Sequence, residues 1–185
     1  MKLFNKFFGK KSKDKQISQF DTAIEKQKKA AKSINLNVPT KILEQISTIE
    51  EDEIINQIII KRQKNEQLFL DNLVKQEKLL AKRKYEEVNN LSSIDILSYF
   101  EYYQYAQKEE KKENFERAAE IYWYNIFNNG TDAPASFDRL LILLRKLKEF
   151  EKELVVARVY RNFVHENKID KIDKRIETIK KKIDK

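Results

Sequence analysis

The chain has no cysteine, two glycines, two prolines and a single histidine among 185 residues. Absence of cysteine removes disulfides, thiolate zinc sites and cysteine nucleophiles, and with them any sign of an oxidising compartment. So few glycines and prolines cannot supply the frequent tight turns of a sandwich or barrel, which excludes an all-β fold. The same shortage excludes the glycine-rich phosphate loops G-x-x-x-x-G-K-S/T and G-x-G-x-x-G. His165 has Asn162 three residues before it, so neither E-x-x-H nor H-E-x-x-H occurs. It reads as a histidine at a helix end, near the negative pole of the dipole. Asn128-Asn129-Gly130-Thr131-Asp132 lacks the acidic spacing and terminal Glu of a calcium loop. No catalytic residue, cofactor or metal is therefore expected, and the chain reads as non-enzymatic.

Long apolar runs are also missing. Nothing approaches the roughly 18 residues of a membrane span, and the start of the chain lacks the apolar stretch of a secretion signal. A cytoplasmic location is the expectation. What is abundant is charge: 37% of residues are Asp, Glu, Lys or Arg, with a net +8. Residues 1–15 carry six Lys and one Asp, and residues 166–185 carry eight basic and five acidic side chains. Residues 51–90 balance at eight and eight, and 91–165 hold eleven basic against twelve acidic. The excess sits at the two ends, whereas a nucleic-acid face would concentrate it on a folded surface.

Four segments follow from the patterning. Residues 1–15 are basic and amphipathic: Leu3, Phe4, Phe7 and Phe8 fall within an arc of about 140° on a helix, beside Lys2, Lys6 and Lys10. Phe beside Lys is the composition of an interfacial membrane anchor, so these seven residues are candidate contacts with the inner face of a membrane. Residues 16–90 read as N-terminal helices. Pro39 suits a first helical turn, and Thr48 with Glu51 forms a capping-box pattern. The stripe Ile55, Ile58, Ile59, Phe69, Leu73, Leu80 predicts one long helix or two broken near Asn65. Residues 91–165 read as four helices, over about 93–112, 115–128, 132–148 and 149–165, with Asn129-Gly130 as a helix stop and Asp132 and Pro134 opening the third. Residues 166–185 are a charged helix on which Ile169, Ile172, Ile176, Ile179 and Ile183 form a 3-4 coiled-coil seam.

The third segment repeats itself. Asn114-Phe115-Glu116-Arg117-Ala118 and Glu149-Phe150-Glu151-Lys152-Glu153 share their pattern, and Phe115 lies 35 residues before Phe150. That period, with helix–turn–helix units, resembles the tetratricopeptide repeat family over residues 97–163. Tyr102, Tyr105, Ala106, Phe115, Ala118 and Tyr122 match the motif in the first unit, as do Phe137, Leu140, Leu144 and Phe150 in the second. Glu109, Leu141, Glu153 and Ala157 depart from it. The resemblance implies an all-α fold of helical hairpins and a protein or peptide partner. It also implies a groove lined by Phe100, Tyr103, Gln104 and Gln107 from the first unit and Arg139, Ile142, Arg145 and Lys146 from the second. Tyr103 would stack on the peptide, and Arg139 and Arg145 would pair with an acidic side chain or C-terminus. Gln107 and Asp138 do not reproduce the family's carboxylate clamp.

Two hairpins do not bury their apolar faces alone, so the helices of 40–90 and the Ile-striped tail are expected to pack on them. The tail is expected to cap the repeats, the alternative being pairing with another chain. The reading is therefore a scaffold or adaptor, the alternatives being a peripheral membrane protein anchored by residues 1–15 or a nucleic-acid-associated protein using its basic ends. Ten of the twenty aromatics lie between Tyr99 and Phe127, but six Glu against four basic residues there would repel a phosphate backbone.

Overall fold

A computed structural model describes residues 38–82 and 98–185, all within one unit that begins at Asn37. The candidate membrane contacts, Lys2 to Lys10, lie outside the described residues. Among the described residues the structure is all-helical, with seven α-helices, and no helix is long and apolar enough to cross a membrane.

A 3-10 turn at Ile42–Glu44 runs into a single-turn helix, α1 (Gln45–Thr48). Helix α2 spans Glu51–Ala81. Its N-cap is Glu50, with no side-chain cap, and Glu51, Asp52 and Glu53 complement the positive pole. The Thr48–Glu51 capping box does not form, because the Thr48 hydroxyl turns back to the Gln45 carbonyl at 3.3 Å. Of the two alternatives for this region, the unbroken helix is the one present. What stops near Asn65 is the packing: Ile54 and Ile58 are fully buried, whereas Leu68, Leu70, Leu73, Val74 and Leu80 are exposed.

The hairpins follow as α3 (Ser98–Lys111), α4 (Phe115–Phe127), α5 (Pro134–Lys146) and α6 (Phe150–Arg161). Each packs on its neighbour in the chain. The turns inside the two hairpins are built alike. Glu113 and Lys148 take positive φ, 63° and 62°. Asn114 and Glu149 follow with near-identical dihedrals, and their N–H groups reach five residues back, to the Glu109 and Leu144 carbonyls. This is a Schellman-type stop with an acidic or basic residue in the left-handed position usually given to glycine, so the 35-residue spacing in the sequence is also a repeat of backbone geometry.

Two helix ends differ from expectation. Asp132 does not cap α5, whose N-cap is Ala133 with Pro134 at the first turn; its carboxylate accepts instead from Arg62 at 2.8 Å. Helix α6 ends at Arg161, before His165, because the chain turns to lay Phe163 on Phe137, with ring centroids 6.0 Å apart. His165 is thus not at the C-terminus of that helix. It stands exposed in extended conformation before a 3-10 turn, Glu166–Lys168, and its carbonyl accepts from the Lys168 N–H.

Both expected donors of packing are used. The first strand of contacts comes from the N-terminal side: the 3-10 turn packs on α4, α1 on α6, and α2 on both. Glu120, buried on α4, accepts from the Lys41 N–H, and Arg117 reaches the Val38 carbonyl at 2.7 Å. Farther along, Lys61 and Asn65 donate to the Phe127 and Asn129 carbonyls at 2.9 and 2.7 Å, satisfying the C-terminal end of α4. Gly130 sits under this contact with φ +66°. The second donor is α7 (Ile169–Ile183), which lays Ile172, Ile176 and Ile179 on α6. Ile169 is half-buried and Ile183 exposed, so the inner three of the five seam positions do the packing.

Candidate binding surface

Helices α4 and α6 carry α1 and α2 on their outer side. The first helices of the hairpins, α3 and α5, bear the eight groove residues taken from the repeat pattern. Phe100 and Ile142 are the apolar exposures there, at 58% and 45%. Gln104 and Gln107 are exposed, and Tyr103 is half-buried with its ring 5.6 Å from that of Tyr122. Gln107 donates to the Tyr103 hydroxyl at 3.3 Å.

The two arginines already have internal partners. Arg139 holds Glu110 through two donors, Nε at 3.1 Å and Nη2, tying α5 to α3. The Glu110 hydrogen bond pushes the guanidinium still higher. Burial pushes the adjacent Tyr122 phenol well above its ordinary range. Arg145 donates from Nε to Glu153 Oε2 at 3.2 Å, with Nη2 in ionic contact at 2.8 Å. Arg175, from α7, donates to the same carboxylate at 3.0 and 2.7 Å. Glu153 is fully buried, which explains its departure from the small residue of the repeat pattern: a carboxylate here is neutralised by two guanidinium groups from two other helices. Glu109, the other acidic departure, is buried as well. It accepts from Lys112 at 2.6 Å and Asn114 at 2.8 Å, and these hydrogen bonds hold its carboxyl below the ordinary 4.5.

Four of the eight groove residues line two separate hollows. One, of about 400 Å³, is lined by Gln107, Glu110, Lys111, Phe115 and Arg139. Lys146 lies 3.3 Å from the Phe115 ring centroid, a cation–π contact. The other, of about 490 Å³, lies between α5 and α7 and takes Ile142 and Arg145. Arg139 and Arg145 are therefore not brought to one ligand position, and Phe100, Tyr103, Gln104 and Lys146 line neither hollow. The second wall of the larger hollow comes from α7, which the sequence pattern marked only as a cap. Tyr160 forms part of its floor, and burial together with the nearby Asp138 pushes that phenol up to about 12. A seam of Ile172, Ile176 and Ile179 facing down does place Lys171, Lys174 and Arg175 at its flanks, so this wall had a signal in the sequence once the seam's partner was known.

No protein-family model matches the chain, and no curated protein or solved structure matches it either.

Proposed function

We propose that the chain is a non-enzymatic adaptor that holds a protein partner against the face formed by α3 and α5, in the manner of a tetratricopeptide groove. The single observation that carries this reading is the contrast between two sides of the hairpins. The α4 and α6 side is covered by the 3-10 turn, α1 and α2, which bury Ile42, Ile46, Ile54 and Ile58. The α3 and α5 side leaves Phe100 and Ile142 in solvent and carries residues of two hollows, one of them lined by Ile142. The repeated turn and the 35-residue period support the same assignment. Large apolar side chains left in solvent on a face that also carries concave polar surface are a common mark of a protein-binding face.

The test is site-specific photo-crosslinking in an extract of the source organism treated with nuclease. A photoreactive residue at Phe100 or Ile142 is expected to capture one stoichiometric protein. The same residue at Glu116, exposed on α4, is expected not to, and Ile142→Asp should abolish the capture at Phe100. Identical adducts at all three positions, or none, would show that this face is not the binding surface. Reversing Arg139 and Arg145 is the poorer probe, because it strips the partners from Glu110 and Glu153 and so acts on the fold.

A further inference from the structure

The hollow between α5 and α7 has a chemistry of its own. Its floor is apolar, with Ile142 45% exposed and Tyr160 and Ile172 beside it. Its rim is cationic. Lys168, Lys171 and Lys174 are all exposed and make no ion pair among the described residues, unlike Arg145 and Arg175, which share Glu153. Lys171 and Lys174 stand about 60° apart around α7, and Lys168 joins them from the 3-10 turn that precedes it. Several neighbouring cations are engaged, Arg158 with Glu51, Arg161 with Asp173 and Lys180 with Glu177, and Lys181 does not line the hollow. The hollow thus gathers three lysines that no carboxylate pairs with among the described residues, in one lining with an exposed isoleucine.

We propose that this hollow binds an acidic peptide segment of a partner protein, with an aliphatic side chain seated on Ile142, Tyr160 and Ile172 and carboxylates on Lys168, Lys171 and Lys174. The proposal rests on the adaptor reading above and specifies the partner's chemistry. A phosphodiester backbone fits less well. It needs a continuous cationic path, whereas the hollow includes the Asp138 carboxylate among its lining. A peptide alternating acidic and aliphatic residues satisfies both the rim and the floor.

The experiment is fluorescence anisotropy on the full chain with a short labelled peptide of repeated Glu-Glu-Leu. Its Lys-Lys-Leu counterpart, an oligothymidylate of equal length and phosphatidylserine-containing vesicles serve as competing probes. Wild type is expected to bind the acidic peptide alone, more weakly as salt rises. Lys171→Glu/Lys174→Glu should weaken binding about tenfold or more, and Ile142→Ser about tenfold. Both variants should keep the wild-type circular dichroism and melting temperature, because all three side chains are exposed. Unchanged affinity in the charge-reversed variant would overturn the proposal, as would tighter binding of oligothymidylate or vesicles. Failure of the acidic peptide while Ile142 still crosslinks a partner would overturn the peptide chemistry and leave the adaptor reading standing. Failure of both would overturn both.

Discussion

At the scale of single residues, the unusual features are carboxylates buried where apolar side chains would serve. Glu153 is fully enclosed and held by Arg145 and Arg175. Replacing both arginines by methionine should cost about 3–5 kcal/mol by leaving a buried charge unpaired. Adding Glu153→Met to that variant should restore most of the loss, as read from urea denaturation of the three proteins. Glu109 makes a separate prediction for acid. Its folded value lies below the ordinary 4.5, so its contribution is complete above that pH and disappears as pH falls through the lowered value. Glu109→Gln should therefore flatten the decline in stability below about pH 4.5, measured as urea midpoint against pH. Of these partnerships only that of Glu109 had a signal in spacing, Glu109 and Lys112 being three residues apart. Lys112 and Asn114 are close in sequence to Glu109, but the two arginines of Glu153 come from positions 8 residues before and 22 after it.

At the scale of elements, α7 and the Gly130 turn make the sharpest claims. Ile179 is fully buried against the hairpins, while Ile183 is exposed. Ile179→Ala should cost about 2–5 kcal/mol and Ile183→Ala less than about 0.5, with no change of mass on gel filtration. Equal effects at the two positions would contradict packing of α7 within the chain. At Gly130, φ is +66° and an added Cβ would stand 2.6 Å from the Arg62 backbone nitrogen and 2.7 Å from Lys61 Cβ. Backbone, not a flexible tip, is in the way, so α2 must retreat. Gly130→Ala should lower stability by about 3 kcal/mol in thermal melts. The helix stop at Asn129-Gly130 was readable from composition. That α2 rests on this glycine was not, since it joins residues nearly seventy positions apart.

At the scale of the whole molecule, α2 is two things in one helix. Its first half, through Asn65, is part of the core, and its second half carries exposed Leu68, Leu70, Leu73, Val74 and Leu80. Amides of residues 68–80 should exchange with solvent much faster than those of 54–62 in native-state hydrogen exchange. Leu73→Lys should leave global stability within about 0.5 kcal/mol, whereas Ile58→Ala should cost about 2–5. The periodicity of the stripe is similar in both halves, which is why the sequence could suggest a break at Asn65 but not its cause. Asn65 is where α2 still holds the turn after α4, donating to the Asn129 carbonyl.

The sequence by itself determined that the described chain is helical, where most helices begin and end, and that residues 113–115 and 148–150 mark equivalent turns. Those properties depend on local periodicity, on the scarcity of glycine and proline, and on side chains within a turn or two of each other. Tertiary structure alone decided which faces are covered. It set α1 and the first half of α2 on α4 and α6, gave Arg139 and Arg145 the internal partners Glu110 and Glu153, and made α7 the second wall of a hollow beside Ile142. Pairings of that kind depend on surfaces meeting across long separations in the chain, and a cation's availability to a partner depends on whether a carboxylate has already reached it.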